Sequence, residues 1–222
     1  MKNILVIAVH PDDETLGCGG TILRLKNKGD AVTWCIATSC ASDMGYSEEM
    51  LKQKETEIAD IASHYDFNKI IRMHLPTTRV DKCAFGDLIN KFSGILEDTK
   101  PDTIFLPFMH DVHSDHRTIF KAVYSCTKTF RYPFIRKLLM METLSETEFA
   151  PSIPSSSFVP NVFYDITDHI DKKIQAMNIY KSEIGMHPFP RNSDNIRSLA
   201  VFRGATAGFC FAESFMLLRE CL

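Results

Sequence analysis

Short apolar runs alternate with amphipathic stretches along most of the chain. An uninterrupted run of β-branched and aliphatic residues is typical of a strand buried on both faces, whereas apolar positions three or four residues apart are typical of a helix packed on one side. The runs predict strands at residues 4–9, 31–37, 70–75, 103–107, 138–141 and 161–166. The helical spacing predicts helices at residues 15–28, 48–65, 85–96, 117–129 and 168–184.

This alternation predicts an α/β fold, a Rossmann-like three-layer sandwich in which helices cover both faces of a mainly parallel sheet. Ser47 and Thr167 are expected to cap the helices that follow them, because their hydroxyl oxygens can accept free backbone N–H groups. Residues 151–160, rich in proline and serine, predict a loop that is either a lid or a connector. No repeat or linker divides the 222 residues, so we expect a single domain spanning residues 1–222.

The amino-acid composition restricts the kinds of molecule that the protein can be expected to bind. The net charge is −3 and 24% of residues are charged, which excludes the basic footprint of a nucleic-acid-binding protein. The seven cysteines contain no C-x-x-C pair, which argues against a disulfide framework or a thiolate zinc site. No apolar stretch approaches the roughly 18 residues of a membrane span. We therefore expect a cytoplasmic protein that acts on a small molecule, and a homo-oligomer remains one option.

The first polar cluster follows the strand predicted at residues 4–9. One imidazole and three carboxylates occur there within five residues, at His10, Asp12, Asp13 and Glu14. Crowding these carboxylates at a strand end is costly unless a cation or a proton compensates their repulsion. The sequence therefore indicates half of a metal site, with an acidic helix start as the alternative interpretation.

A second polar cluster, residues 110–116, follows the strand predicted at residues 103–107. Because ligands of open parallel sheets collect beyond the carboxyl ends of the strands, two clusters at strand ends can meet in one crevice. The two clusters together predict one metal site and an active site at the carboxyl ends of the strands.

Three motifs, in order along the chain, carry a family resemblance. The first is His-Pro-Asp-Asp-Glu at residues 10–14, and the second is the Asp-x-His-x-Asp-His pattern at residues 111–116. The third combines Arg203-Gly204, Gly208 and Ala-Glu-x-Phe at residues 212–215. With these motifs the chain resembles the LmbE/PIG-L-like family of metal-dependent N-acetylglucosaminyl de-N-acetylases.

The chain departs from the family pattern at three places. Lys54 and Glu57 stand where the family commonly has arginine and glutamate, and Thr77 stands where it has aspartate after Leu-Pro. Ser182-Glu183 replaces the common Ser-Gln. These departures concern substrate contacts and leave the metal chemistry untouched.

The resemblance implies a metal centre held by His10, Asp13 and His116. Two imidazoles and one carboxylate leave coordination positions open for water and substrate, which suits a hydrolytic zinc site. Zn²⁺ is the expected ion, and Fe²⁺ suits the same ligands.

The resemblance also implies catalytic roles for three further residues. Asp12 is expected to act as general base for attack by a metal-bound water, and His113 to stabilise the oxyanion with Asp115 orienting its ring. Either Asp12 or His113 can protonate the departing amine. The expected reaction removes an N-acetyl group from an N-acetylated amino sugar, an N-acetylglucosamine derivative. His187, Arg79 and Arg203 are weaker candidates for substrate contacts.

Three other functions compete with this hypothesis. A dinucleotide-binding oxidoreductase would need glycine where Ile22 stands, and the aspartates after the first strand would repel a pyrophosphate. A metal-dependent phosphoesterase commonly uses two metals, whereas one ligand set is evident. A non-catalytic carbohydrate-binding relative remains an alternative, although all the expected catalytic residues are present.

Overall fold

The computed structural model describes residues 1–222. The seven strands are β1 (Asn3–Ala8), β2 (Ala31–Ser39), β3 (Lys69–Pro76), β4 (Thr103–Leu106), β5 (Lys137–Met141), β6 (Val162–Asp165) and β7 (Ala212–Glu220). The six α-helices are α1 (Asp13–Asn27), α2 (Glu48–Tyr65), α3 (Phe85–Thr99), α4 (Ser114–Ser125), α5 (Ile170–Met177) and α6 (Ser193–Ala207).

All seven strands form one sheet in the order β3-β2-β1-β4-β5-β7-β6. The neighbours from β3 to β5 pair in parallel, whereas β7 is antiparallel to both β5 and β6. The α/β fold and the mainly parallel sheet are confirmed. The antiparallel strand β7 and helix α6 had not been predicted.

Strand β1 shows why the sheet is buried on both faces. Its side chains alternate between two hydrophobic clusters, because successive residues of a strand point to opposite faces. Ile4, Val6 and Ala8 pack with α1, α2, α5 and α6, whereas Leu5 and Ile7 pack with α3 and α4. Helices therefore cover both faces, which confirms the three-layer arrangement.

Helix α1 has a kink at Cys18, where φ is −151° and ψ is 23°. The kink creates a second helix start whose free N–H groups are satisfied from β7: Gly20 and Thr21 donate to the two carboxylate oxygens of Glu213, at 2.9 and 2.7 Å. A Cβ at Gly20 would lie 2.8 Å from Ile166, so glycine permits the helix to approach the sheet.

Several predicted helix boundaries are wrong. The helix predicted at residues 168–184 covers only Ile170–Met177, and the hydroxyl of Thr167 donates to the Asp165 carboxylate instead of capping that helix. The acidic residue Asp13 begins α1, two residues before the predicted start, and α4 begins three residues early at Ser114. Ser47 caps α2 as predicted, because its oxygen accepts the N–H of Met50.

All seven cysteines are free. Their spacing in the sequence likewise does not indicate a disulfide framework. No helix combines the length and apolar character needed to cross a membrane.

Candidate metal centre and active site

The candidate site lies where the strand order changes direction. Strands β1 and β4 are neighbours at the centre of the sheet, although they are separated by two βα units in the chain. Their connections leave in opposite directions along the sheet, so a crevice opens beyond their carboxyl ends. The polar clusters at residues 10–14 and 110–116 both lie at this crevice, as the sequence predicts.

Three donor atoms meet there: Nδ1 of His10, Oδ2 of Asp13 and Nε2 of His116. Nε2 of His116 is 3.3 Å from both of the other atoms, and Nδ1 of His10 is 3.8 Å from Oδ2 of Asp13. Tetrahedral ligands about 2.0–2.2 Å from a zinc ion are about 3.3–3.6 Å from one another. The spacing of the three donors therefore fits one divalent ion.

Each imidazole is held by a carboxylate on its far side. Nδ1 of His116 lies 2.9 Å from Oδ2 of Asp111, whose Oδ1 accepts the hydroxyl of Thr147 at 2.7 Å. Nε2 of His10 lies 3.3 Å from Oδ2 of Asp115. A proton on each of these outer nitrogens leaves the lone pair of the inner nitrogen directed at the ion position.

The electrostatics of the centre also favour a cation. Burial by itself would raise the pKa of Asp13, but the His116 and His10 rings hold that pKa well below its usual range. Burial would lower the pKa of His116, but the carboxylates of Asp13 and Asp111 raise it well above its usual range. The negative field that favours a proton on His116 favours a metal ion at the same place.

Asp12 lies beside these donors in a strained backbone conformation, with φ of 134°. Burial raises its pKa well above the usual range, although the neighbouring Arg191 guanidinium opposes this shift. Arg191 Nη1 donates to Oδ2 of Asp12 at 2.7 Å, and Oδ1 has no hydrogen-bond partner in the protein. One carboxylate oxygen is therefore fixed and the other remains open to the cleft.

Arg191 is a functional candidate that the sequence reasoning missed. It lies between Pro190 and Asn192, in the irregular segment before α6, and 179 positions separate it from Asp12. Its Nη1 also donates to Glu183 at 2.9 Å, and its Nε donates to Ser145 Oγ at 2.7 Å. An arginine in a loop carries no local signal for such a role. The sequence drew attention only to Glu183, a partner of Arg191, because Glu183 departs from the family pattern.

His113 lines the cleft and presents one particular nitrogen to it. The backbone N–H of Asp115 donates to His113 Nδ1 at 3.1 Å, so the neutral ring carries its proton on Nε2. Burial, with the neighbouring His10 and His116 rings, lowers the pKa of His113 to about 4. The ring is therefore a hydrogen-bond donor that needs no charge.

Asp115 holds the His113 ring through its backbone N–H and not through its carboxylate. Its carboxylate lies 4.0 Å from Nδ1 of His113, and that nitrogen already accepts a backbone N–H. Instead, Asp115 contacts His10 and accepts the N–H groups of Thr78 and Val80 at 2.6 and 3.2 Å. The physical reason is that the loop after β3 folds over the site and offers donors that sequence spacing does not reveal.

A second set of possible metal donors, His10, His113 and Asp115, also lies close together. Its carboxylate is already satisfied by two backbone N–H groups and the His10 ring. Nδ1 of His113 likewise accepts a backbone N–H. In the first set, Nε2 of His116 accepts no backbone N–H, and Oδ2 of Asp13 accepts only one, from His10 at 2.8 Å. The set with Asp13 and His116 therefore fits an ion better.

The weaker candidates lie apart from the cleft or serve the fold. Arg203 pairs with the Glu142 carboxylate, and neither His187 nor Arg79 lines the cleft. Glu14 is buried and accepts the Tyr180 hydroxyl at 2.8 Å, and burial raises the pKa of Glu14 to about 7. Glu14 stabilises the turn between β1 and α1, because one of its oxygens accepts the Asp12 N–H at 3.2 Å.

Comparison with known proteins identifies a matching family model. The model described as PIG-L: GlcNAc-PI de-N-acetylase matches residues 5–127, more than half of the chain. The matched region contains both polar clusters and all six residues that the resemblance assigned to metal binding and catalysis.

Two similar proteins cover most of the chain. The uncharacterized deacetylase YaiS of Escherichia coli (strain K12) is 26% identical over 189 residues, which are 82% of this chain and 91% of that protein. The diacetylchitobiose deacetylase of Thermococcus kodakarensis is 21% identical over 224 residues, covering 96% of this chain and 82% of that protein.

A solved structure shares the whole fold. The crystal structure of the conserved protein TT1542 from Thermus thermophilus has a TM-score of 0.80 with this chain and 22% sequence identity. The match covers 100% of this chain and 97% of that chain. This similarity establishes the fold and by itself says nothing about the reaction.

Proposed function

The chain belongs to the PIG-L family of de-N-acetylases, and from that premise we propose that it hydrolyses the N-acetyl group of an N-acetylated amino sugar. The observation that carries the proposal is the meeting of His10, Asp13 and His116 beside Asp12, with one Asp12 oxygen open to the cleft. We further propose that residues 1–222 act as a single catalytic domain.

We propose zinc as the ion held by His10, Asp13 and His116. Two imidazole nitrogens and one carboxylate oxygen form a donor set typical of hydrolytic zinc sites, and their spacing suits its short bonds. When bound, such an ion acts as a Lewis acid and can lower the pKa of water from about 15.7 to about 7.

Asp12 is proposed as the general base. Arg191 fixes Oδ2 of Asp12, so Oδ1 is left to accept a proton from the attacking water. The same ion pair favours the ionised carboxylate, which offsets part of the cost of burial. Arg191 is thus a positioning residue for the base.

His113 is proposed to donate a hydrogen bond from Nε2 to the oxygen of the amide as negative charge develops there. The backbone N–H of Asp115 fixes the tautomer that makes this possible. Asp115 is proposed to position His10 through its carboxylate and His113 through its backbone.

The proposed substrate is an N-acetylglucosamine derivative. The family description, which names GlcNAc-PI, and the relative named as a diacetylchitobiose deacetylase support this choice of the acetylated sugar, and they share no common attached group. The acetyl-bearing sugar must reach the ion position, so the group attached to it occupies the remainder of the cleft.

The test measures free amine and acetate released from a panel of N-acetylated sugars by zinc-loaded protein. Asp12→Ala should lower turnover by about 10²–10⁴-fold with zinc content near normal, as expected for loss of a general base. His116→Ala should lose both zinc and turnover. Full activity of Asp12→Ala would refute the assigned base, and release of phosphate from phosphate esters without any amine from acetylated sugars would favour a phosphoesterase.

A further inference from the structure

One face of helix α2 forms the wall of the cleft beyond the ion position. Lys54 and Glu55 each lie three or four residues from Leu51 and from Ile58, and all four residues line the cleft. Residues with this spacing share one side of a helix. Two charged side chains therefore lie between two apolar ones on the surface that faces the substrate.

Every cationic side chain that lines the cleft is already paired with a carboxylate that lines it too. Lys54 Nζ lies 2.8 Å from Oε1 of Glu183, and Arg72 makes two bonds to Glu55, at 2.5 and 2.6 Å. Arg191, the third cation, is shared between Asp12 and Glu183. An anionic group entering the cleft finds no cation without a partner.

Glu183 has the central place in this arrangement. Its two oxygens bind different cations, Lys54 through Oε1 and Arg191 through Oε2. Glu183 therefore supplies the negative charge that neutralises Lys54 in the cleft. Both side chains are about three-quarters buried, which limits screening of the pair by solvent.

The balance of charge in the cleft points the same way. Five carboxyl groups but only three cationic side chains line it: Asp12, Asp13, Glu55, Glu146 and Glu183 against Lys54, Arg72 and Arg191. A divalent ion compensates the excess of two but leaves no positive charge for an incoming anion. Like charges placed together in a binding site oppose binding.

We propose that this cleft selects amino-sugar substrates whose attached group is uncharged, and that Glu183 is a specificity-determining residue that excludes phosphate or carboxylate there. The inference rests on the proposed de-N-acetylase function and refines its substrate class. The apolar residues Leu51 and Ile58 and the paired polar groups suit a sugar or another neutral hydroxylated group.

The experiment compares two nearly isosteric substrates, the 4-carbamoylphenyl and 4-carboxyphenyl glycosides of N-acetylglucosamine, as both anomers. The zinc-loaded wild type should prefer the amide substrate in kcat/KM by about tenfold or more. Glu183→Gln should reduce that preference by about tenfold, because it frees Lys54 to pair with the carboxylate. Adding Lys54→Met to Glu183→Gln should remove the gain.

The ratio of the two kcat/KM values separates selectivity from damage to the base, since disturbance of Arg191 lowers both values together. Glu97→Gln, an exposed change of equal charge on α3, should leave the ratio unchanged. In the wild type, raising the ionic strength should shrink the preference, because salt screens repulsion. This last measurement needs no variant.

A wild-type preference for the carboxylate substrate, or an unchanged ratio in Glu183→Gln and at high salt, would overturn the inference while leaving the de-N-acetylase function intact. Absence of amine release from every acetylated sugar would instead overturn the proposed function, and the inference would fail with it.

Discussion

Two clusters of buried charge lie along helix α1, and only one of them has the character of a site. At the helix start, His10, Asp13 and His116 bring three donor atoms together. At the kink, Lys173 and Glu213 form a buried ion pair with Nζ 2.6 Å from Oε1. Both clusters bury charge, but only the first lies wholly within the residues that the family model matches.

The clusters differ in how their polar atoms are satisfied. Lys173 also donates to the Leu16 carbonyl, and Glu213 accepts the N–H groups of Gly20 and Thr21, so this pair is complete within the protein. At the helix start, the lone pairs of His10 and His116 and an oxygen of Asp13 face one another. Buried charge alone therefore does not identify a functional site, whereas three ligand atoms that converge within reach of one ion do.

The largest effect is expected from a variant that breaks the buried ion pair of Lys173 and Glu213. Lys173→Met should lower the free energy of unfolding by about 3–5 kcal/mol, because it leaves the Glu213 carboxylate buried without a cation. Urea denaturation followed by circular dichroism measures the change. The double variant Lys173→Met, Glu213→Gln should recover part of the loss, and a loss below about 1 kcal/mol in the single variant would contradict this account.

Addition of zinc tests the cluster formed by His10, Asp13 and His116. Zinc at a free concentration of about a hundred times its dissociation constant should raise the free energy of unfolding by about 2.7 kcal/mol, because the folded state alone gathers the three ligands. Denaturation with and without a chelator measures the difference. The same addition should have little effect on His116→Ala, and equal stabilisation of both proteins would place the ion elsewhere.

Removal of the Asp111 carboxylate, which contacts the outer nitrogen of His116, should have a smaller effect. Asp111→Asn should weaken zinc affinity by about 10–100-fold, because the amide is a poorer acceptor for Nδ1–H and leaves the ring less basic. Competition with a chromophoric chelator measures the affinity. Asp102→Asn, a change of equal charge at the opposite end of β4, serves as control, and unchanged affinity in Asp111→Asn would contradict the support role.

An exposed ion pair should show the smallest effect. Lys69 pairs with Asp98, and both side chains are about half exposed. Asp98→Asn should change the free energy of unfolding by less than about 1 kcal/mol, because solvent screens the pair. Urea denaturation under the same conditions as for Lys173→Met makes the comparison direct. A change as large as that of Lys173→Met would mean that burial is not what separates these pairs.

The parallel half of the fold was predictable because its signals are local. Apolar runs such as that of β1 are buried on both faces, and the amphipathic α3 presents Leu88, Phe92 and Leu96 to the core as its spacing predicts. Strand β7 was harder to predict. It is a nine-residue strand, antiparallel to both of its neighbours, and its charged ends obscure an apolar centre.

The candidate site was predictable only in part. Each polar cluster directly follows an apolar run, and the ends of neighbouring parallel strands converge, so the meeting of the two clusters follows from the strand pattern. Only the family resemblance singled out His10 and His116 within them. The partners of Asp12 and Asp115 do not follow from it. Arg191 and the N–H groups of Thr78 and Val80 come from loops whose paths depend on packing throughout the molecule.

The sequence by itself determined the alternation of strands and helices, the two polar clusters at strand ends, and membership of the family. Those features depend on residue type and spacing over a few positions. The tertiary structure alone decided which carboxylate lies behind which imidazole, that Arg191 fixes the Asp12 carboxylate, and that Glu183 neutralises Lys54. Such pairs join residues far apart in the chain, and only the folded path of the loops brings their charges within bonding distance.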